Sequence, residues 1–405
     1  MQEREKKERY LSNTVFMPQE ELLETGRKKK SISIGIPAES GENEKRVALT
    51  PEAVNLLVEN GNTVYVQEGA GLGSNYTDNN YSENGAVITR TADEVFNCDL
   101  VIKVAPFSAE EVGKLHHRRT VLSFLKVLKQ SREALTGMMQ KNITALAFEK
   151  IKDKHQELPV VESMSEISGV TSILIASEYL SNQHGGKGVM LGGISGVTPS
   201  EVIIIGAGTA GEYAARAALG LGAEVMVFDN SVHRLRKFQS IVGQRLQTSV
   251  YHPQVLKKAL KSADVLIGAI QIEDLRPWYH ITEDMVKKMK KGSVMIDLSI
   301  DRGGCIETME CRDLQDPVYI KHGVVHFAAW NLPSRVARTA SIALSNIFAP
   351  LIQEIADQGG LDPMLKRSSG LSQGVYVYKG MLTNETLGQK FNLLSKDIEL
   401  LLTAF

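Results

Sequence analysis

Cysteine is scarce in this 405-residue chain, which has only Cys98, Cys305 and Cys311, none paired at metal-ligand spacing. That excludes a disulfide framework and a thiolate metal centre, and it fits a reducing compartment. Cys305 and Cys311 are expected to be buried or inert, and no metal is expected. Net charge is missing too: 46 Lys and Arg face 47 Asp and Glu, a formal balance of −1. A nucleic-acid partner is excluded on that balance. No stretch reaches the run of about 18 apolar residues that a membrane span needs. The opening Glu3, Arg4, Glu5, Lys6, Lys7, Glu8 and Arg9 have no apolar segment behind them, so they are not a secretory signal. A cytoplasmic protein is expected, with a charged extension over residues 1–30 that ends in the solvated run Arg27-Lys28-Lys29-Lys30.

Glycine, in contrast, is placed with purpose. The apolar run Val202-Ile203-Ile204-Ile205 leads into Gly206-Ala207-Gly208-Thr209-Ala210-Gly211, and a second apolar run, Ala223 to Phe228, ends at Asp229. Each glycine has its own task in a dinucleotide site. Gly206 turns the chain sharply out of a strand, Gly208 lets backbone approach a pyrophosphate, and Gly211 lets the next helix lie close to the sheet. The pyrophosphate then sits on a helix N-terminus, where free N–H groups favour an anion. Asp229, about 20 residues on, is placed to accept hydrogen bonds from a ribose 2′-hydroxyl, which selects NAD over NADP. A lone glycine motif also fits an ordinary turn, but here strand, glycines, helix (Tyr213 to Leu219), strand and acid occur in order.

The length suggests two or three domains. Apolar runs at Ile32–Ile36, Thr63–Val66, Leu100–Val104, Val121–Phe124 and Ile143–Phe148 alternate with helical patterns, the rhythm of a parallel α/β sheet. One helix opens at Thr50-Pro51 and closes at Gly61. Helical periodicity over Glu166–Leu180 predicts a linking helix. Further strands are expected at Asp264–Ile270, Ser293–Leu298 and Val324–Ala328, with helices at Pro253–Leu260 and Glu283–Met289. From Arg338 a long helix bends at Pro350 and stops at Gly359-Gly360, returning to the first domain. The expected fold is α/β, with two Rossmann-like doubly wound parallel-sheet domains joined by long helices. Residues 31–159 and 338–405 form a discontinuous substrate domain and residues 160–337 the NAD-binding domain. A cleft lies between them, lined by loops after the strands.

Those loops hold the candidates for chemistry. Arg46 offers a planar fork for a carboxylate, although a surface salt bridge fits its position as well. Lys103 stands among these loops too, and Lys126 ends the run Leu122–Lys126 at a strand exit, where a lysine losing solvent becomes an acid–base group; an exposed lysine is the alternative. Asp301, beside Gly303-Gly304, faces substrate or else caps a solvated turn, and Asp297 is the weaker candidate. His116-His117 is expected at a solvated helix end, and His326 in a core.

Several motifs together resemble the alanine dehydrogenase and transhydrogenase α-subunit family. They are Gly35-Ile36-Pro37 with Arg46-Val47-Ala48, Met164-Ser165-Glu166, Leu191-Gly192-Gly193 with Gly196-Val197, the Gly206–Gly211 loop, Asp301-Arg302-Gly303-Gly304-Cys305 and Asn331-Leu332-Pro333. The resemblance runs from about residue 31 to 405 and favours the alanine dehydrogenase branch. It implies oxidation of alanine to pyruvate and ammonium with NAD by a hexamer. By it, Arg46 and Lys103 would bind substrate, and Asp301 would support proton transfer. Ser165, Gly206, Gly208, Gly211, Asp229, Arg234 and Asn331 would contact NAD.

Two departures from the family pattern bear on the reaction. The family places a lysine two residues beyond Lys103, where this chain has Ala105 in Lys103-Val104-Ala105-Pro106, and a histidine where this chain has Lys126. An alanine cannot hydrogen-bond a keto oxygen, and losing an oriented acid–base group costs roughly 10²–10⁴ in rate. Three readings follow. In the first, Lys126 takes over both tasks in an alanine dehydrogenase. In the second, the chain is an NAD(H)-binding module or partner subunit without alanine turnover. In the third, it is a dehydrogenase for another amino acid, of the saccharopine type.

Overall fold

Several strands of this chain are buried from end to end, among them Leu100–Ile102, Thr144–Ala147, Val265–Gly268, Val294–Asp297 and Val324–Phe327. Strands apolar on both faces need cover on both faces, which helices provide in a parallel sheet. The computed structural model describes residues 31–404 apart from 42, 128–129, 244–245 and 271–279; the expected charged extension lies outside the described residues. In chain order the strands are β1 (Ser33–Ile36), β2 (Thr63–Gln67), β3 (Val87–Thr89), β4 (Leu100–Ile102), β5 (Thr120–Ser123), β6 (Thr144–Ala147), β7 (Glu201–Ile205), β8 (Glu224–Phe228), β9 (Gln247–Ser249), β10 (Val265–Gly268), β11 (Val294–Asp297), β12 (Val318–Lys321), β13 (Val324–Phe327), β14 (Val375–Tyr378) and β15 (Met381–Leu382).

They form two sheets, ordered β15-β14-β6-β5-β4-β1-β2-β3 and β12-β13-β11-β10-β7-β8-β9. Both are doubly wound: the chain starts in the middle, runs out one way through β1-β2-β3 or β7-β8-β9, and returns to the other side of the first strand. Alternate residues face opposite layers. Val202 and Ile204 join one core while Ile203 and Ile205 join the other.

Three antiparallel pairings at the sheet margins, made by two edge strands and their neighbour β14, escaped the sequence reading: β12 against β13, β14 against β6, and β15 against β14. The two hairpins turn at His322-Gly323 and Lys379-Gly380, where both residues have positive φ. That is the conformation of a tight two-residue hairpin, but His and Lys in place of Asn or Asp hide it.

Two helices join the lobes. Pro159–Leu180 starts seven residues earlier than the periodicity suggests, because Pro159 occupies the first helical position. Ala337–Asp357 continues through Pro350 as a single helix and places Leu344, Phe348 and Ile352 in the core built around β1. The returning segment thereby completes the first lobe. Gly169 lets the Pro159–Leu180 helix press on Thr209–Gly220, the helix that opens the nucleotide loop; a Cβ there would lie 2.3 Å from the carbonyl oxygen of Ala210. Gly169→Ala is therefore expected to cost about 1–3 kcal/mol by overpacking. Thermal unfolding at a lower temperature with weaker NADH binding is the predicted result; an unchanged melting curve would show that the helices separate freely.

Candidate functional site

A cavity of about 860 Å³ opens between the lobes at the carboxyl ends of β7, β8, β10 and β11. This is the switch point of the second sheet, where β7 has neighbours wound in opposite directions. Its floor is the glycine loop. Gly206 has φ +112°, and a Cβ on it would lie 2.4 Å from the carbonyl oxygen of Ala269; one on Gly211 would lie 2.0 Å from that of Gly206. Gly208 differs, because a Cβ there would meet nothing within 4 Å. Its bare face looks into the cavity at the start of the Thr209–Gly220 helix, as a cradle for a pyrophosphate requires.

Asp229 ties this loop to the next strand. Its carboxylate accepts from the Ala207 N–H at 2.9 Å and the Ser231 N–H at 2.7 Å, with Arg234 Nη1 3.7 Å away. Ser165, Gly206, Gly208, Asp229, Arg234 and Asp301 line the cavity together, whereas Gly211 and Asn331 stand behind its wall. Asp301 lies on a 3₁₀ turn shaped by Asp297, the candidate rated weaker. Fully buried, Asp297 accepts from the Ser299 N–H and Oγ at 3.0 and 2.7 Å and from the Cys305 N–H at 2.6 Å. Burial raises its carboxyl above the ordinary range against those donors. Asp297 is a structural brace.

The opposite wall is made by Phe124 of the first lobe and by Met164 and Ser165 of the linking helix. Behind it is Arg46, which is 5% exposed and so is not the surface salt bridge that was its alternative. Its Nε–H and Nη2–H donate to the two carboxylate oxygens of Glu44, each at 2.6 Å, while Nη1 reaches the Met164 sulfur at 3.4 Å. Burial alone would raise the Glu44 carboxyl, but the Arg46 guanidinium and the charge of Lys126 hold it below its usual value. Backbone on both sides of Arg46 is clamped by the far end of the chain: Lys45 N–H donates to Ser334 Oγ (2.8 Å) and Val47 N–H to Ser341 Oγ (2.9 Å). Asn331, with φ +65°, donates through Nδ2 to Glu44 Oε2 (3.0 Å) and to the Asn43 carbonyl (2.9 Å). The residue expected at NAD thus supports the arginine.

Lys126 follows β5 with φ +42°, its ammonium 4.3 Å from the Trp330 ring centroid and 5.2 Å from that of Phe124. Beneath it, buried Glu149 accepts from the Leu125 N–H at 3.0 Å, and burial pushes the Glu149 carboxyl up to about 7. Lys103, by contrast, is 1% exposed and turned away from the cavity lining, with Nζ 2.6 Å from Glu111 Oε1 and 3.6 Å from Glu39 Oε2. Glu39 also accepts from the N–H groups of Val104 and Ala105, and burial raises it to about 7 despite the Lys103 charge.

The sequence reading missed Glu39, Glu44, Glu111 and Glu149, because buried partners of buried cations carry no local spacing signal. It missed the cavity-lining Tyr251 and His280 for a similar reason. His326 is a core residue, bonded to Thr308 Oγ1 at 2.8 Å, and His116 and His117 are exposed beyond the Ala109–Lys114 helix. Cys305 is buried but Cys311 is exposed. Among the described residues no group of His, Cys, Asp and Glu is arranged to hold a metal, and no helix is long and apolar enough to cross a membrane.

Comparison with known proteins agrees with this geometry. Residues 35–168 match the profile described as alanine dehydrogenase/PNT, N-terminal domain, and residues 172–385 match the C-terminal domain of the same family. The chain is 39% identical over 368 residues to an alanine dehydrogenase of Staphylococcus saprophyticus, covering 90% of this chain and 98% of the relative. It is 38% identical to alanine dehydrogenase 2 of Staphylococcus aureus, covering 91% and 99%. A solved L-alanine dehydrogenase superposes with a TM-score of 0.84 at 33% identity, covering 89% of this chain and 99% of that one. A transhydrogenase from Sinorhizobium meliloti shares the fold, with a TM-score of 0.74 at 24% identity over 86% and 98% of the two chains.

Two expectations follow from the site. Gly208→Ala should leave the melting temperature unchanged while weakening NADH binding at least about tenfold, whereas Gly211→Ala should lower the melting temperature; equal behaviour of the two would refute the assignment of separate tasks. Glu149 supplies a pH dependence. With a carboxyl at about 7 in the folded chain against 4.5 ordinarily, folding favours its protonated form, so that contribution is complete below about pH 4.5 and is lost as pH rises through 7. The loss is on the order of 3 kcal/mol. Denaturant unfolding between pH 5 and 8 should show stability falling, with a shallower slope in Glu149→Gln; the same slope in both would assign the loss elsewhere.

Proposed function

The chain belongs to the alanine dehydrogenase/PNT family, and we propose that it catalyses the reversible, NAD-dependent oxidative deamination of L-alanine to pyruvate and ammonium. The observation that carries this reading is a cavity walled by a dinucleotide loop on one side and by the Met164 face of a buried arginine site on the other. In this reading residues 160–337 hold the cofactor, and residues 31–159 with 338–405 hold the substrate.

NAD held by the glycine loop, Asp229 and Arg234 would supply the acceptor for the hydride of the alanine Cα, and the imine that this loss leaves takes up water to give pyruvate and ammonium. The chain supplies everything else. Gly206, Gly208 and Gly211 shape the pyrophosphate cradle, Asp229 and Arg234 flank the ribose position, and Ser165 meets the cofactor from the linking helix. Arg46 holds the substrate carboxylate. Because Glu44 already grips Nε and Nη2, the guanidinium is oriented before substrate arrives, and its Nη1 edge is the one turned to the cavity wall. Asn331 maintains that orientation through Glu44. Lys103 is locked in its own ion pairs, so it shapes the wall and leaves polarisation of the substrate carbonyl to Lys126. Neutral Lys126 takes the proton from the α-ammonium and passes it to solvent, then takes a proton from the water that attacks the imine and returns it to the nitrogen that leaves as ammonium; in the reverse direction its ammonium polarises the pyruvate carbonyl, with Asp301 orienting the water on the cofactor side. We place the enzyme in the cytoplasm as a homo-oligomer, a hexamer by family resemblance. The exposed Val170 and Leu174 on the linking helix support association.

One observation favours a second reading. Ala105 presents no polar side chain and Lys103 is enclosed by Glu39 and Glu111, which also suits an NAD(H)-binding module. Absorbance at the NADH band with purified protein, NAD and L-alanine at alkaline pH, beside a panel of other amino acids and an NADH titration, separates the two. Alanine-dependent NADH formation is expected, and Lys126→Ala should lose roughly 10²–10⁴ of it. Turnover on another amino acid alone would move the substrate. Silence on every amino acid with NADH binding intact would establish the binding-module reading.

A further inference from the structure

Lys126 stands between aromatic rings that come from opposite lobes. Phe124, at the end of β5, lines the cavity, and its ring centroid is 5.2 Å from the ammonium. Trp330 follows β13 in the other lobe, and its ring lies closer, at 4.3 Å. An ammonium is attracted to the negative face of an aromatic ring, to indole most of all, and more strongly where water is excluded.

The indole is held in register by a bond that spans the lobes. Trp330 Nε1–H donates to Asp313 Oδ1 at 3.3 Å, and the same oxygen accepts from Asn43 Nδ2 at 2.8 Å, while Asn43 Oδ1 accepts from the Leu314 N–H at 3.2 Å. Asn43 is in the first lobe, on the loop that carries Glu44 and Arg46. The neighbouring residue, Asn331, reaches that loop too. Two adjacent residues thus touch the two cations of the first lobe, Trp330 at Lys126 directly and Asn331 at Arg46 through Glu44.

We propose that Trp330 is a positioning residue for Lys126: when the lobes meet, its indole face receives the ammonium and fixes it beside the Arg46–Glu44 pair at the substrate end of the cleft. The inference rests on the reading of Lys126 as the acid–base group. It also explains why a lysine works at this position, since a long flexible side chain needs a partner that fixes its end without neutralising it. Because a ring attracts only the cation, Trp330 favours the form of Lys126 that donates a proton to the carbonyl.

The test uses the full-length enzyme with Trp330→Leu, Trp330→Phe and Lys126→Met. In Trp330→Leu, kcat with saturating pyruvate, ammonium and NADH should fall about tenfold and the alkaline limb of kcat/KM for pyruvate should move to lower pH, with NADH affinity unchanged. Trp330→Phe, which keeps a ring face, should recover kcat to within about threefold of wild type. Wild-type kcat and pH profile in Trp330→Leu would overturn the proposal. So would a loss that Phe fails to restore and that leaves the pH profile in place, which marks a merely structural contact. A second arm needs no turnover: the emission of Trp330, taken as wild type minus Trp330→Phe, should change when Lys126 is replaced by Met. Unchanged emission would overturn the stack. Wild-type silence on alanine would overturn the alanine reading instead, and the emission arm would still report on the stack.

Discussion

The arrangement of the cleft depends on one buried ion pair. Removing Arg46 and Glu44 from water is costly, and the cost is met only if the pair is matched in geometry and its remaining donors and acceptors are satisfied. Here the match is bidentate, and the remaining acceptor of Glu44 is supplied by Asn331 from beyond the second sheet. The pair therefore fixes more than itself. It requires the loop after β1, the linking helix bearing Met164 and the segment after β13 to meet at one point, and Ser334 and Ser341 hold the backbone on either side of it. A lobe displaced by a few ångströms would leave Glu44 buried with an unmet acceptor. Electrostatic satisfaction at that point is what sets the two lobes against each other, and the cavity is the space this leaves.

The legible and illegible parts of the sequence divide along a physical line. The glycine loop was legible because its constraint is local: a strand must end, a backbone must approach an anion, and a helix must touch a sheet within a few consecutive residues. Gly206, Gly208 and Gly211 were assigned three different tasks on that basis, and the space around them differs accordingly. The parallel order of the central strands was legible for the same reason, since full burial shows as an unbroken apolar run. The charge partners were not. Glu44 lies two residues from Arg46, yet nothing in that spacing says whether the pair is solvated or buried. Glu39 and Lys103 are 65 or so positions apart and meet only because β1 and β4 are neighbours in the sheet.

The departures from the family pattern gain a physical sense in this setting. Losing a lysine at position 105 removes a cation from the cleft wall, and replacing a histidine by Lys126 restores one from a different strand exit. The two positions are not equivalent. Position 105 contributes its backbone N–H to Glu39, a task that any residue except proline performs. Lys126 stands over aromatic rings near Glu44, where its charge helps hold that carboxylate in its ionised form. The positive charge stands near the arginine, so under the proposed function carboxylate binding and proton transfer would draw on adjacent cations.

Both sheets have the same winding, and each therefore has a crevice at its switch point, between β1 and β4 in one and between β7 and β10 in the other. Symmetry of fold does not make them equivalent as binding sites. In the second sheet the crevice is kept open by Gly208, and exposed amides at the start of a helix await an anion. In the first sheet the corresponding amides, of Val104 and Ala105, are already bonded to the carboxylate of Glu39, with Lys103 and Glu111 completing the set. The protein carries its own anion there. Burial raises that carboxyl to about 7, and the Lys103 charge beside it works the other way, toward the ionised form. A dinucleotide consequently has one crevice to enter, and under the proposed function the first lobe would be left to present Arg46 and Lys126 to the substrate.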